Sequence, residues 1–380
     1  MYRFNDTVSC RALFFIMAFF IGLWTIRIPT IKDQLGTDYL GIGLIFVTFA
    51  IGSIITMVFA NLIIKKISSK RAVMLGGLMQ GILWLIVPFV KDLQVFMLLS
   101  FIFGNCYGIY EVAINLQAST IEKREKKSMM SFFHGFFSLG IFMGSFVTSI
   151  FLEWKISFFN NTFIYVVILL PLTFVFSYYL ENDHKVVETD KKNIFFMWPI
   201  IIFLLVLLST ANALTEGGVD AWGALYMRDI VQVSGFQIGI ATISFNIFMT
   251  FGRFTGDKLR DDLGVYLFII ISIILILVGL IILLIFDSLI SSIIGFSTLG
   301  FGASSIVPIA YSLSSKVKGI DSTVGITIIS IAVYGIFMIA PAALGLVANS
   351  YGVNYVFAPM LIIFIFCLIP VFLFKSEFKL

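Results

Sequence analysis

Long apolar runs separated by short polar segments are the dominant pattern along the chain. Twelve of these runs reach about 20 residues, the length that an α-helix needs to cross the hydrocarbon core of a bilayer. Because lipid offers no hydrogen-bond partner to an exposed backbone group, each run is predicted to be helical. The predicted spans are Arg11–Pro29, Leu40–Ile64, Ala72–Val90, Gln94–Ile121, Ser128–Leu152, Thr162–Leu180, Ile194–Leu225, Phe236–Leu259, Val265–Phe286, Leu289–Ser315, Thr323–Ala348 and Tyr355–Phe374.

The polar stretch Glu181–Asn193 divides the chain into two halves of six predicted spans each. Residues of similar type recur across these halves at a constant offset of 196 positions. The pairs are Gly43 and Gly239, Asn61 and Asp257, Ser68 and Gly264, and Gly104 and Gly300. Residues 1–180 and 194–380 are therefore predicted to be two like-oriented six-helix units joined by the hinge 181–193, the parallel-repeat plan of one class of transporters.

Composition supports a membrane protein and excludes several other classes. With 60% hydrophobic residues and a mean hydropathy of +1.06, the chain lies far outside the range of soluble domains. The three cysteines are an odd number and predict no disulfide framework. The net charge of +4 comes from loop residues, so no nucleic-acid partner is expected. We predict no cofactor and no metal, and a monomer embedded in the lipid bilayer.

The distribution of lysine and arginine predicts the orientation in the membrane. An even number of spans places both termini on one side, and 20 of the 25 basic residues fall on that side. Short basic loops remain in the cytoplasm, so both termini are predicted to be cytoplasmic and the location to be the cytoplasmic (inner) membrane. The first span continues through Trp24 without a small-residue cleavage site, and we interpret it as a retained helix rather than a signal peptide.

The loop between spans 2 and 3 carries the first family signal. It runs from Asn61 to Arg71 and resembles the major facilitator superfamily signature Gly-x-Leu-x-Asp-Arg-x-Gly-Arg-Lys. The basic end is kept, but Asn61 and Ser68 replace the two glycines and Lys65 replaces the aspartate. The second copy, Asp257 to Gly264, keeps the leucine, an acidic position and the final glycine.

An acid at a helix end near basic loop residues can form a latch that one conformation closes and another opens. The candidate residues for such a cytoplasmic gate are Lys65, Lys66, Arg71, Arg253, Asp257 and Asp261. The alternative for the first copy is that its basic residues only anchor the loop on the cytoplasmic side.

Four further stretches narrow the resemblance. They are Trp24–Pro29, Glu111–Gln117, Ser131–Gly140 and Glu216–Trp222. Together they are similar to the branch of the major facilitator superfamily that contains the membrane protein MosC, and distantly similar to fucose permease. The resemblance covers the whole chain. It implies an all-α fold of twelve transmembrane helices and solute transport by alternating access, without implying a substrate.

Glu111 is the principal candidate for proton coupling. It lies deep in span 4, where an ionised carboxylate costs about 2.5–3.5 kcal/mol on insertion scales. With Gly104, Gly108, Asn115 and Ala118 it forms one small and polar stripe at i+3/i+4 spacing, predicted to face the interior of the bundle. Proton-coupled permeases similar to fucose permease carry a glutamate in span 4, and Glu111 matches it. They also carry an acid in span 1, which this chain lacks. The alternative is a neutral glutamate that hydrogen-bonds a neighbouring helix.

Two more sites extend this hypothesis. His134 in span 5 is a candidate proton relay that could cluster with Asn115 and Gln117, although a structural hydrogen bond would serve equally well. On span 7, Glu216 is the second candidate for proton coupling, and it shares one face with Asn212 and Asp220. Asp220 and Arg27 are predicted to form an outer gate. The alternative is that Arg27 extends to the lipid headgroups and Asp220 lies at the water boundary.

The remaining polar positions on helical faces define a predicted substrate cavity. Its candidate residues are Trp24, Asn115, Gln117, Ser138, Asn212, Ser304 and Tyr311. A small organic solute and protons are thus the expected partners. The amide side chains favour import of a hydrophilic solute. The many phenylalanines are also compatible with the alternative, proton-driven efflux of amphipathic compounds. The sequence contains neither the catalytic motifs expected of a membrane enzyme nor the phosphate-binding loop of an ATP-driven pump. A channel or a non-transporting scaffold is disfavoured by buried carboxylates in both halves.

Overall fold

The computed structural model describes residues 5–125, 129–182, 198–314, 317 and 322–379. Within those ranges it contains thirteen α-helices and no strand. The helices are α1 Asp6–Leu35, α2 Tyr39–Ile67, α3 Ser69–Trp84, α4 Leu93–Glu125, α5 Met130–Glu153, α6 Phe158–Tyr178, α7 Ile200–Asp229, α8 Ile240–Leu263, α9 Val265–Ile285, α10 Leu289–Ala303, α11 Ile306–Ser314, α12 Ser322–Tyr351 and α13 Ala358–Leu373. These helices give twelve candidate membrane spans, which confirms the predicted number.

The tenth span, predicted as Leu289–Ser315, consists of two helices. Helix α10 ends at Ala303 and α11 begins at Ile306. Pro308 explains the break because it has no N–H to donate and its ring crowds the carbonyl four residues earlier, that of Ser304. The predicted tenth span is confirmed as a span from Leu289 to Ser314, with an interruption between Ala303 and Ile306.

Several helices extend beyond their apolar cores because capping residues, not hydropathy, determine their ends. Helix α1 begins five residues before the predicted Arg11: the side chain of Asn5 accepts a hydrogen bond from Val8 N at 2.9 Å. It ends six residues after the predicted Pro29, where Gly36 adopts a left-handed φ of 57°. Both are favoured capping arrangements, and Pro29 is accommodated inside the helix.

Contacts divide the chain into two compact units. The first comprises Met1–Glu188 with Ser234–Gly239, and the second comprises Thr189–Val233 with Ile240–Leu380. Within the first unit, α1 packs on α5, α2 on α4, and α3 on α4 and α6. Within the second unit, α7 packs on α12, α8 on α10, and α9 on α10 and α13. The two units thus share one packing order.

The predicted offset of 196 recurs in the helix crossings. A Cβ atom added to Gly104 would overlap the carbonyl of Phe49, and one added to Gly300 would overlap the carbonyl of Phe245. Both members of the second contact lie 196 positions after those of the first. Small residues let backbones of membrane helices approach closely, so these glycines hold α4 against α2 and α10 against α8.

The turns between the second and third helices of each unit also correspond. Ser68 has φ 78° and ψ 156°, and Gly264, 196 positions later, has φ 80° and ψ 151°. Each N–H bonds the carbonyl four residues earlier, at 2.9 Å and 2.8 Å. Both turns therefore need a positive φ. Glycine adopts it without strain at position 264, whereas Ser68 adopts it at a cost.

Candidate functional site

Glu111 lies deep in α4 and is 5% exposed. It is 18 residues from Leu93 and 14 from Glu125, or about 27 Å and 21 Å along the helix. Its Oε1 accepts a hydrogen bond from Asn115 Nδ2 at 2.9 Å, and the same amide donates to the Glu111 carbonyl at 2.9 Å. Tyr107 also forms a side-chain hydrogen bond with this carboxyl. The structure thus joins two residues of the predicted stripe and adds a phenol that sequence analysis did not select.

His134 and Ser138 lie on α5 beside aromatic neighbours. The imidazole is partly buried and stands edge-on to the Phe14 ring of α1, with 5.5 Å between centroids. The Ser138 hydroxyl is fully buried and donates to the His134 carbonyl at 3.3 Å. These contacts place His134 at the α1–α5 packing surface. Its role as a proton relay stays a prediction.

Gln117 has partners other than the predicted ones. Its Nε2 donates to Ser69 Oγ and to the Glu181 carbonyl, both at 2.7 Å. The side chain is 1% exposed. Gln117 therefore connects α4 to the start of α3 and to the residues that follow α6.

In the second unit, the side chains of α7 and α8 form a buried polar network. Glu216 accepts from Asn212 Nδ2 at 2.7 Å through Oε1, and it pairs with Arg253 Nη2 at 3.3 Å through Oε2. Asp220 Oδ1 accepts from Asn246 Nδ2 at 3.4 Å. The Glu216 and Arg253 side chains are only 14% and 17% exposed. The three predicted residues of α7 thus meet two polar residues of α8.

The ion pair between Glu216 and Arg253 was missed by sequence analysis, which assigned Arg253 to a cytoplasmic gate. The positions of the two residues along their helices could have indicated this pair. Glu216 lies 13 residues before the end of α7, and Arg253 lies 13 residues after the start of α8. Consecutive antiparallel helices bring such positions to the same depth, where an arginine inside an apolar run requires an acid.

Arg27 has its partners inside the first unit. It is 3% exposed, and its Nε donates to Asn161 Oδ1 at 3.0 Å. Its Nη2 donates to the Ile156 carbonyl at 3.0 Å. The guanidinium also lies 5.5 Å from the centroid of the Phe158 ring. These contacts exclude the alternative in which Arg27 extends freely to the headgroups, and the outer gate with Asp220 stays a prediction.

The other cavity candidates are mostly packed. Trp24 is partly buried, and its ring lies 5.8 Å from that of Phe46 and 6.2 Å from that of Trp84. Ser304 is 2% exposed and donates to the Phe301 carbonyl at 2.7 Å. Tyr311 is partly buried in α11. Whether any of them contacts a solute stays a prediction.

The candidate gate residues occupy helix ends. Lys65 and Lys66 lie in the last turn of α2 and Arg71 in the first turn of α3, and all three are exposed. Asp261 is exposed at the end of α8, 3.0 Å from Arg260. The Asp257 side chain lies outside the described residues, as does the predicted hinge beyond Asn182.

A second charged cluster escaped sequence analysis. Arg124 at the end of α4 forms ion pairs with both Asp6 and Glu181. It connects the start of α1, the end of α4 and the residues that follow α6. At 40% exposure of Arg124, such a pair contributes little stability by itself. In the described part of the chain, no three His, Cys, Asp or Glu residues form a group that could hold a metal ion.

Twelve candidate membrane spans among the described residues, divided between two compact units, are the arrangement of a multi-pass membrane protein. The chain belongs to the Major Facilitator Superfamily, whose family model matches residues 10–225. This confirms the resemblance and identifies a transporter rather than an enzyme.

Relatives and solved structures agree with this assignment. The chain is 27% identical over 356 residues to an uncharacterized MFS-type transporter of Yersinia pestis, covering 93% of this chain and 91% of that protein. It is 25% identical over 345 residues to the membrane protein MosC of Rhizobium meliloti, covering 90% and 83%. The crystal structure of the nucleoside transporter NupG matches with a TM-score of 0.71 at 14% identity, covering 99% and 100%. At that identity NupG shows the fold alone, and it confirms the predicted major facilitator fold.

Proposed function

We propose that this transporter moves a small polar organic solute across the cytoplasmic membrane by alternating access, coupled to protons through Glu111. The observation that carries the proposal is a buried carboxyl near the middle of α4 that is hydrogen-bonded by Asn115 and Tyr107. In this proposal both termini are cytoplasmic, as the distribution of basic residues predicts.

The chemistry of the site suits reversible protonation. Burial favours the neutral carboxyl, because an ionised one loses its hydration. An amide N–H and a phenol O–H can donate to the carboxylate when water enters and the proton leaves. The proton affinity of Glu111 is therefore expected to differ between the state that opens to one side of the membrane and the state that opens to the other. This difference couples proton movement to the conformational change.

The test replaces Glu111 by Gln, which mimics the neutral form while keeping its shape. A thermal-shift screen of the purified protein against a metabolite library identifies a solute, because a ligand that binds the folded state raises its apparent stability. In liposomes, the Glu111→Gln variant is expected to exchange this solute but not to accumulate it with a pH gradient. Glu125→Gln, which alters an exposed carboxyl of the same helix, is the matched control and should accumulate solute as the parent does.

The outcomes separate three roles for Glu111. Accumulation equal to the parent would place coupling elsewhere, with Glu216 as the next candidate. Loss of exchange as well would make Glu111 a solute ligand or a structural partner. His134→Ala is expected to shift the pH dependence of accumulation without abolishing it, since a relay changes the proton path and not the carrier group.

A further inference from the structure

A groove of the first unit lies between α2 and α3, over the surface of α4. Both helices pack extensively against α4 but little against each other, which leaves a cavity of about 260 Å³ between them. Gly76 brings α3 close to α4, because a Cβ atom there would lie only 2.9 Å from the Cys106 carbonyl oxygen. The residues that line the groove include Ile63 and Ile67 of α2, Leu75 and Met79 of α3, and Cys106 and Ile109 of α4.

The groove offers a ligand mainly apolar contact. Its lining contains two polar side chains, but Thr56 Oγ1 donates to Asn105 Oδ1 at 2.5 Å, and Asn105 Nδ2 donates to the Phe101 carbonyl at 2.8 Å. Leu75 and Met79 are 49% and 45% exposed, so the groove opens at the surface of the protein. An apolar groove that opens on a membrane span suits an alkyl chain better than a polar solute.

The turn between α2 and α3, at one end of the groove, is strongly basic. Its four basic residues are Lys65, Lys66, Lys70 and Arg71. Neither α2 nor α3 contains an acidic residue. In the second unit, the residues 196 positions after the two lysines of α2 are Asp261 and Asp262. The excess of positive charge therefore belongs to this turn of the first unit and not to the corresponding turn of the second.

Two of these basic residues continue the helical faces that line the groove. Arg71 lies one turn before Leu75 on α3, and Lys66 lies three residues after Ile63 on α2, so each shares a face with a lining residue. Both basic side chains are exposed. Neither forms an ion pair within the described part of the chain. The apolar groove thus ends at two cations that are available to a negatively charged group.

We propose that the groove between α2 and α3 binds an anionic phospholipid. One acyl chain lies along the groove, and Lys66 and Arg71 hold the phosphate of the headgroup at the membrane surface, where long basic side chains reach it. The groove alone accepts the chain of any lipid, so the preference comes from the basic turn. The competing explanation is that the turn only anchors the loop. The proposal concerns lipid binding to one unit and does not rest on the proposed transport function.

The first test uses Cys106 as a native reporter of the groove. Cys106 is partly exposed in its lining, whereas Cys10 and Cys367 are fully buried. The detergent-solubilised parent is titrated with dioleoylphosphatidylglycerol, and peptide mass spectrometry follows alkylation of Cys106 by N-ethylmaleimide. We expect this anionic lipid to slow the alkylation. Dioleoylphosphatidylcholine, which has the same chains and no net charge, should need an about 25-fold higher mole fraction for half-protection, since each basic residue contributes roughly a factor of five.

Two outcomes of this titration would overturn the proposal. Half-protection at equal mole fractions of the two lipids would show that the groove accepts acyl chains without regard to charge. Protection by glycerol phosphate, which carries the phosphate but no acyl chain, would show that the basic turn binds a soluble anion instead.

The second test removes the cations. The double variant Lys66→Gln with Arg71→Gln should raise the half-protecting fraction of phosphatidylglycerol about 25-fold, to that of phosphatidylcholine. Lys66→Arg with Arg71→Lys keeps both charges and should keep the preference. Lys258→Gln with Arg260→Gln removes the same charge near the corresponding turn of the second unit, and it should leave the protection unchanged. A preference that persists without Lys66 and Arg71, or that disappears equally in the Lys258 and Arg260 control, would contradict the proposed headgroup site.

Discussion

Each unit buries a glutamate that accepts a hydrogen bond from an asparagine one turn away, but the two differ in their remaining partners. In the first unit, Asn115 and Tyr107 hydrogen-bond Glu111. In the second unit, Asn212 hydrogen-bonds Glu216, and Arg253 adds a guanidinium at 3.3 Å. The amide contact is similar in both, at 2.9 Å and 2.7 Å. An arginine holds a carboxylate ionised, whereas amide and phenol donors accompany either protonation state.

The two glutamates are not copies of one ancestral position. The residue 196 positions after Glu111 is Val307, and the residue 196 positions before Glu216 is Phe20. The equivalent of Arg253 is Met57. The glycine crossings and turns are duplicated, while the buried charges are not. The helical scaffold therefore follows the repeat, whereas each half has its own arrangement of buried charged residues.

The largest effect should come from breaking the ion pair of the second unit. Arg253→Gln leaves Glu216 and Asp220 buried without this cation, and we expect it to lower the free energy of unfolding by about 3–5 kcal/mol. The double variant Arg253→Gln with Glu216→Gln should recover most of that loss. Thermal unfolding in detergent measures both, with Arg260→Gln at the exposed end of α8 as the control.

By contrast, Glu111→Gln should change the free energy of unfolding by less than about 1 kcal/mol, because glutamine can keep an uncharged hydrogen-bonded arrangement. If Arg253→Gln melts with the parent, or Glu111→Gln is as destabilised as Arg253→Gln, the distinction between the two glutamates is wrong.

A smaller effect tests the glycine crossings, in which the two units should behave alike. Gly104→Ala and Gly300→Ala each force a helix pair apart, at an expected cost of about 1–3 kcal/mol. Gly335→Ala is the control, because a Cβ atom there meets nothing within 4 Å. Unequal effects of the first two variants on the melting temperature would contradict a shared crossing geometry.

The smallest effect concerns the two corresponding turns. Ser68→Gly should stabilise the protein by up to about 1 kcal/mol because it relieves a left-handed φ, and Gly264→Ala should destabilise it by about 1–2 kcal/mol. The methyl group that Gly264→Ala adds would have free space, so its cost reports the backbone alone. Both variants are read from the shift in melting temperature. A loss of stability in Ser68→Gly would show that the weak cap from Ser68 to Arg71 N, at 3.4 Å, outweighs the strain.

The sequence predicted what depends on periodicity and composition. The number of spans and the correspondence of Ser68 with Gly264 follow from apolar run lengths and one offset. The burial of Glu111 and its pairing with Asn115 follow from helical spacing. These features need only the length, spacing and repetition of single helices.

What could not be predicted depends on the rotation of one helix against another. The partners of Arg27, Ile156 and Asn161, lie more than 125 residues further along the chain. No periodic pattern in the sequence indicates that they contact Arg27. Arg253 lies inside the predicted span Phe236–Leu259 but was assigned to the cytoplasmic gate, because hydropathy does not show which neighbouring helix supplies its partner. Pro308 was visible on span 10, but a proline inside an apolar run does not show whether the helix bends or is interrupted, so the break at Ser304 was not predicted.

The central claim is that Glu111, and not the ion-paired Glu216, carries the coupled proton. The most direct measurement is solute-driven proton flux in liposomes, recorded with a pH-sensitive dye for the parent, Glu111→Gln, and the double variant Arg253→Gln with Glu216→Gln. We predict that Glu111→Gln loses proton flux while it still exchanges solute, and that the double variant keeps it. Proton flux in Glu111→Gln equal to that of the parent would contradict the claim.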